Sequence, residues 1–171
     1  ALAIAALVYR SRAGAAFATA VASVGMTVPS LALLALLLIV FGLGVTPSVT
    51  MLAFYATLPI LTSAIVGLQA VPPALVEAAR GLGMPRWRVL ATVELPNAWP
   101  VILTGIRVST QLVVGVATVV AYVLGPGLGS LIFSGLARLG GAGALESALV
   151  GTVLVVAVAL VLVRVRALRE R

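Results

Sequence analysis

The sequence predicts an all-α polytopic membrane protein, and three observations carry that reading. Of 171 residues, 63% are hydrophobic and 9% charged, where a soluble domain carries roughly 25% charged residues. No charge lies between Arg12 and Glu77, which leaves room for two spans and a turn at about 20 residues per span. The arginines sit at the ends of the apolar runs, where membrane proteins place them to fix their orientation.

The missing residue types narrow the chemistry. With no Cys and no His, disulfides, thiolate chemistry, histidine acid–base catalysis and most zinc sites are excluded. The chain also lacks Asp and Lys, and without a lysine there is no P-loop to reach nucleotide phosphates. It therefore holds no ATPase site, no cofactor and no metal of its own. The net charge of +7 is not arranged as a basic stripe with interleaved aromatics, so it reads as a topology signal and not as a nucleic-acid surface.

In chain order, residues 1–8 are apolar but too short to span, and read as the tail of a helix whose beginning is absent. A signal peptide would carry its positive charges before the apolar run, whereas Arg10 and Arg12 follow it. The first full span is expected over residues 17–43, with Pro29 inside it as a packing kink, a functional hinge, or the divider between a short interfacial helix and the span proper. Gly42, Gly44 and Pro47 mark a turn, and the second span follows over residues 48–70 with Pro59 inside. The third runs over residues 99–124, opened by Pro100. A short amphipathic helix or re-entrant piece over residues 130–137 and a last span over residues 145–163 complete one membrane domain, residues 1–171, with no repeat and no appended soluble part.

Arg107 lies about seven residues into the third span, roughly 10 Å of helix, within snorkelling range of the interface. Snorkelling, or pairing with Glu94 or a neighbouring subunit, is the preferred reading; a place in the transport pathway is the other. Phe54 and Tyr55 are adjacent and share no helix face, so core packing is expected for both. Trp87 and Trp99 read as interfacial anchors. Placing the Arg10/Arg12 loop, the central loop and the C-terminal tail together gathers nine arginines on one side against Arg138 on the other. That side is expected to be cytoplasmic in a multi-pass protein of the cell membrane.

The exceptional stretch is residues 77–96, EAARGLGMPRWRVLATVELP, within a loop of about residues 72–98. Helix is expected after Pro72-Pro73, a break at Gly81, Gly83 and Pro85, and a second short helix from Arg86 to Thr92, together a rigid knob. Glu77-Ala78-Ala79, then Gly83, then Val93-x-Leu95-Pro96 follows the spacing EAA-x3-G-x9-I-x-LP, with Val in the Ile place. In this the chain resembles the permease subunits of binding-protein-dependent ABC importers. Stretches around Pro29-Ser30, the run PNAWPVILTGIR up to Arg107, and LGPGLGSLI are similar to permeases for glycine betaine, choline and proline. The last departs from the family's usual form at Pro126 and Ser130.

The resemblance implies the type I permease fold, with about five transmembrane helices of which the first is truncated here. It implies a loop that docks on a partner ATPase, which binds ATP and Mg. A second permease subunit, identical or paralogous, and an extracytoplasmic solute-binding protein complete the assembly in the bilayer. Glu77, Ala78, Ala79, Gly83, Leu95 and Pro96 are then the coupling residues. Glu77 contacts the ATPase groove, the alanines permit close approach, Gly83 permits the bend, and Leu95-Pro96 fix the exit. Pro29, Ser30, Arg107, Gly127 and Gly129 are candidates for the pathway or gate. The implied function is import of glycine betaine, choline or related compatible solutes. The alternatives are an importer for another small solute such as ergothioneine or methionine, an ATP-independent secondary transporter, or a structural scaffold.

Overall fold

A computed structural model describes residues 1–124, 129–130, 149–150, 152–153 and 156–157. The described chain is helical, with no strand among the described residues. In order it forms α1 (Leu2–Val8), α2 (Arg12–Thr27), α3 (Ser30–Phe41), α4 (Val45–Gln69), α5 (Pro73–Gly81), α6 (Arg86–Val89), a π-helical turn (Leu90–Glu94) and α7 (Leu95–Leu124). Helix is the form a lone segment takes in hydrocarbon, because it satisfies every interior backbone group within the segment.

Helix α4 and the helix running from Arg86 to Ala121 are long and apolar enough to cross a membrane, and α2 with α3 adds a third span if the pair counts as one. The first of these agrees with its expected bounds to within three residues. The other two differ from the single spans drawn from the sequence, one by an alternative left open for Pro29 and one by a correction at Pro100. Residues 17–43 are not one continuous helix: the chain breaks at Val28-Pro29, and Pro29 sits extended (φ −60°, ψ 128°) as the N-cap of α3. Proline removes a donor and biases the residue before it away from helix, so this break has a local cause. Pro100 does not open the third span. It lies inside α7, and the chain is helical without interruption from Arg86 to Leu124. A proline inside a membrane helix is tolerated where the freed groups find other partners. The turn between α3 and α4 is Gly42-Leu43-Gly44 alone, with both glycines at positive φ, and Pro47 falls in the first turn of α4.

Contacts gather the chain into two compact units, residues 1–27 with 55–109 and residues 28–54 with 110–171. In the first, Leu58, Leu61, Ile65 and Leu68 recur at helical spacing on α4 and pack with Ala5, Tyr9, Ala15 and Ala22 from α1, its end and α2, and with Ala98 and Ile102 from α7. Small residues let α4 and α7 approach closely. A Cβ on Gly105 would lie 2.5 Å from the Ser63 side chain and 2.8 Å from the Pro59 carbonyl. One on Gly67 would lie 3.1 Å from the Ala98 carbonyl, and the Ser109 hydroxyl donates to the Ala56 carbonyl at 2.9 Å. In the second unit Leu34, Pro47 and Met51 are buried, and a Cβ on Gly129 would meet the Thr118 carbonyl at 2.5 Å.

Leu149, Val150, Thr152, Val153, Val156 and Ala157 are helical. The remainder of the expected last span, the 130–137 helix beyond Ser130, Gly127, Arg138 and the C-terminal arginines lie outside the described residues.

The α4–α7 approach yields a prediction. Gly105→Val overpacks it and should cost about 1–3 kcal/mol, seen as a lower thermal unfolding midpoint in detergent. Gly115→Ala, where a Cβ meets nothing within 4 Å, should leave the midpoint unchanged or slightly raised.

Candidate functional site

The loop between α4 and α7 is a folded object. After Pro72, α5 begins with Pro73, whose missing donor costs nothing in the first turn. The helix ends at Gly81 with Leu82 as its cap, and Gly83 just beyond adopts φ +77°. There Gly83 N–H donates to the Arg80 carbonyl at 2.9 Å and Met84 N–H to the Ala79 carbonyl at 3.3 Å. This pair is the Schellman arrangement, which satisfies the last carbonyls while a left-handed residue turns the chain out of the helix. Pro85 then caps α6, which packs with the following π turn against α5.

The expected second short helix is not separate, because α6, the π turn and α7 form one rod. From Arg86 to Ala121 it counts 36 residues, about 54 Å at 1.5 Å per residue, against a hydrocarbon core of roughly 30 Å. The rod is thus longer than the hydrocarbon is thick, and Arg86 and Arg88 stand at its start. The π turn has a cause in Pro96, since a proline ring in a regular α-helix collides with the carbonyl four residues back. Here Leu95 N–H donates to Leu90, five residues back, and the widened ring makes room. Asn97 adds a side-chain bond from Nδ2 to the Val93 carbonyl at 2.7 Å.

The six loop residues singled out in the sequence thus fall into two groups. Glu77, Ala78 and Gly83 lie on the exposed side of the knob, with Leu82 79% exposed beside them. The Glu77 side chain makes no hydrogen bond or ion pair with another described residue. Ala79 differs from the expectation: it is buried, so its methyl packs within the loop, and Ala78 alone of the two faces outward. Leu95 and Pro96 stand at the base of the knob, where the π turn passes into α7.

At that base lies an arrangement the sequence reading did not find. Glu94 is 3% exposed, and the Tyr9 hydroxyl donates to its Oε2. Arg10 Nη2 lies 3.3 Å from Glu94 Oε1, while Arg10 Nε donates to the Tyr9 oxygen at 2.6 Å. Of the alternatives set out for Arg107, the one that paired it with Glu94 does not hold: Glu94 is held by Arg10 and Tyr9. Burial is the main reason the Tyr9 phenol is pushed above its ordinary range, with the bond to Glu94 adding to it, so at physiological pH it stays protonated and donates. On the other side, Gln69 Nε2 donates to the Tyr9 carbonyl at 3.0 Å. A lone acid directly before Leu95-Pro96, and an aromatic–arginine pair after an apolar run, were the available signals. Their separation of 85 residues concealed the contact.

Among the other candidates, Pro29 is exposed and Ser30 half-buried at the start of α3, and Arg107 is exposed on α7. Gly129 packs against α7 at Thr118. Tyr55 is buried as expected, but Phe54 is 38% exposed, as suits a membrane helix with a lipid-facing side. Trp87 and Trp99 are exposed. Among the described residues no three His, Cys, Asp or Glu side chains gather as metal ligands.

The described residues thus form apolar helices with a self-capped knob between two helices long enough to cross a membrane. The chain belongs to the binding-protein-dependent transport system inner membrane component family, whose pattern matches residues 1–171. It is 46% identical over 114 residues to the osmoprotectant import permease protein OsmY of Salmonella typhimurium, covering 67% of this chain and 48% of that one. To the carnitine transport permease protein OpuCB of Listeria monocytogenes it is 43% identical over 130 residues, covering 76% and 60%. To the glycine betaine/carnitine/choline transport system permease protein OpuCB of Bacillus subtilis it is 39% identical over 127 residues, covering 74% and 58%. The chain thus spans about half the length of the curated relatives it matches.

The Gly83 turn can be tested on its own. A left-handed conformation costs a β-branched residue about 1–2 kcal/mol, so Gly83→Val should raise local opening and trypsin cleavage at Arg86 by about tenfold. Gly83→Asn should show a smaller change.

Proposed function

We propose that this chain is the transmembrane permease subunit of an ATP-driven importer for glycine betaine, choline, carnitine or a related compatible solute. The observation that carries the proposal is the loop. Between two spans the chain builds a compact, capped knob with Glu77, Ala78 and Leu82 exposed on it, in a family of binding-protein-dependent transport components. A tether would need only about four residues; a rigid knob with an uncovered acid and small residue fits a groove on a partner. The solute class rests on the relatives, described as osmoprotectant, carnitine, glycine betaine and choline permeases.

In this reading ATP and Mg bind on a separate ATPase subunit that receives the knob on the cytoplasmic side. A second permease subunit completes the pathway, and a solute-binding protein delivers cargo at the outer face. Glu77 supplies a charge to the groove, Ala78 lets the two backbones approach, and the Gly83 turn fixes the angle of α5. Leu95 and Pro96 pass the motion of the knob into α7 as a rigid-body displacement, which biases the spans between inward- and outward-facing states. Pro29, Ser30, Arg107, Gly127 and Gly129 are proposed for the pathway or gate, with the Pro29 break as a joint.

The test is ATP hydrolysis by the complex purified through this subunit and placed in lipid nanodiscs, with the binding protein empty and then loaded with each solute. Stimulation is expected with one loaded form and should be lost in Gly83→Pro, which cannot take a positive φ. Failure of any ATPase subunit to bind would overturn the proposal.

A further inference from the structure

Docking accounts for the outer side of the knob, but not for the buried charge at its base. The loop leaves the first unit's core at Gln69 and re-enters at Glu94-Leu95, and both ends meet the same short turn between α1 and α2. The Gln69 amide holds the Tyr9 carbonyl at 3.0 Å, the Tyr9 hydroxyl holds Glu94, and Arg10 bridges both at 2.6 Å to Tyr9 and 3.3 Å to Glu94. Apolar packing alone would let α2 slide past α4 and α7, because lipid and side chains offer similar contacts. A buried carboxylate cannot slide in this way: separating it from its partners leaves an uncompensated charge in a low-dielectric site.

We propose that Tyr9, Arg10 and Glu94 are positioning residues that clasp the α1–α2 turn to both ends of the docking loop. Displacement of the knob is thereby delivered to α2 as well as to α4 and α7. The proposal rests on the importer reading above. It assigns Glu94 a task that its neighbours Leu95 and Pro96 cannot perform, since neither carries a polar side chain. The role of Tyr9 is to offer its carbonyl to one end of the loop and its hydroxyl to the other. Arg10, its side chain 35% exposed, neutralises the buried carboxylate from the same turn.

The experiment measures solute molecules imported per ATP hydrolysed by the complete complex in vesicles, with the solute that stimulates the wild type. Glu94→Gln and Tyr9→Phe should each lower that ratio about fivefold or more, the lower end of typical couplings between sites. Because the chain has no cysteine, Tyr9→Cys with Glu94→Cys can be joined selectively by a short bismaleimide, and joining should restore the ratio. Tyr9→Phe, which removes one oxygen, carries the test if Glu94→Gln does not assemble. Variants that assemble and keep the wild-type ratio, or a joined pair that stays uncoupled, would overturn the clasp alone. A wild-type complex that no loaded binding protein stimulates would overturn the importer reading and the clasp with it.

Discussion

The first unit depends on how closely α4 and α7 approach one another. In hydrocarbon there is little hydrophobic gain in bringing two helices together, so association rests on dispersion and hydrogen bonds at short range. Gly67, Ser63 and Ala56 on α4 meet Ala98, Gly105 and Ser109 on α7, and the only side-chain polar bond among these pairs is itself made to a backbone carbonyl. The near-absence of side chains along this seam brings Gln69 and Leu95 near enough for one turn to hold both ends of the intervening loop. The knob is compact because its base is narrow.

Four prolines in or beside the spans show how one chemical defect has several structural outcomes. Pro29, extended, ends a helix. Pro59 stays inside α4, where the Thr62 hydroxyl donates to its carbonyl at 3.0 Å. Pro100 stays inside α7, with the Thr104 hydroxyl on its carbonyl at 3.2 Å. Pro96 widens the helix into a π turn. The ring and the missing donor are the same each time; the neighbours differ. A threonine follows three or four residues after the two prolines that remain in helix, and its hydroxyl can reorganise the local carbonyls.

Features governed by neighbouring residues were legible in the sequence. The start of α5 at Pro73, the glycine turn at Gly83, the bounds of α4 and the burial of Tyr55 all follow from local chemistry and apolar periodicity. The family pattern was legible for the same reason, since its glycine and its Leu-Pro pair do local conformational work. What escaped depended on contacts between distant segments or on competition between plausible local outcomes. Pro29 stood open between kink and divider. Pro100 looked like a helix start because proline favours that position, and only the continuous rod from Arg86 showed otherwise. Ala79 and Ala78 are identical in type, so which one faces outward is set by the packing of α5 on α6. Glu94 entered only as one possible partner of Arg107, and its own partners came from Tyr9 and Arg10, far away in the sequence.

The π turn also sets a direction. Each residue of an α-helix advances the side chains by about 100° around the axis, so one residue added to a turn rotates everything before it by that amount relative to everything after it. The axis of α7 is fixed by its seam with α4, and the azimuth of α6, hence of the knob packed against it, is fixed by Pro96. The proline acts as a phase shifter between a membrane helix and the surface it presents. Two chains with the same spans and the same knob, but with and without this widened turn, would present that knob to different sides of the span.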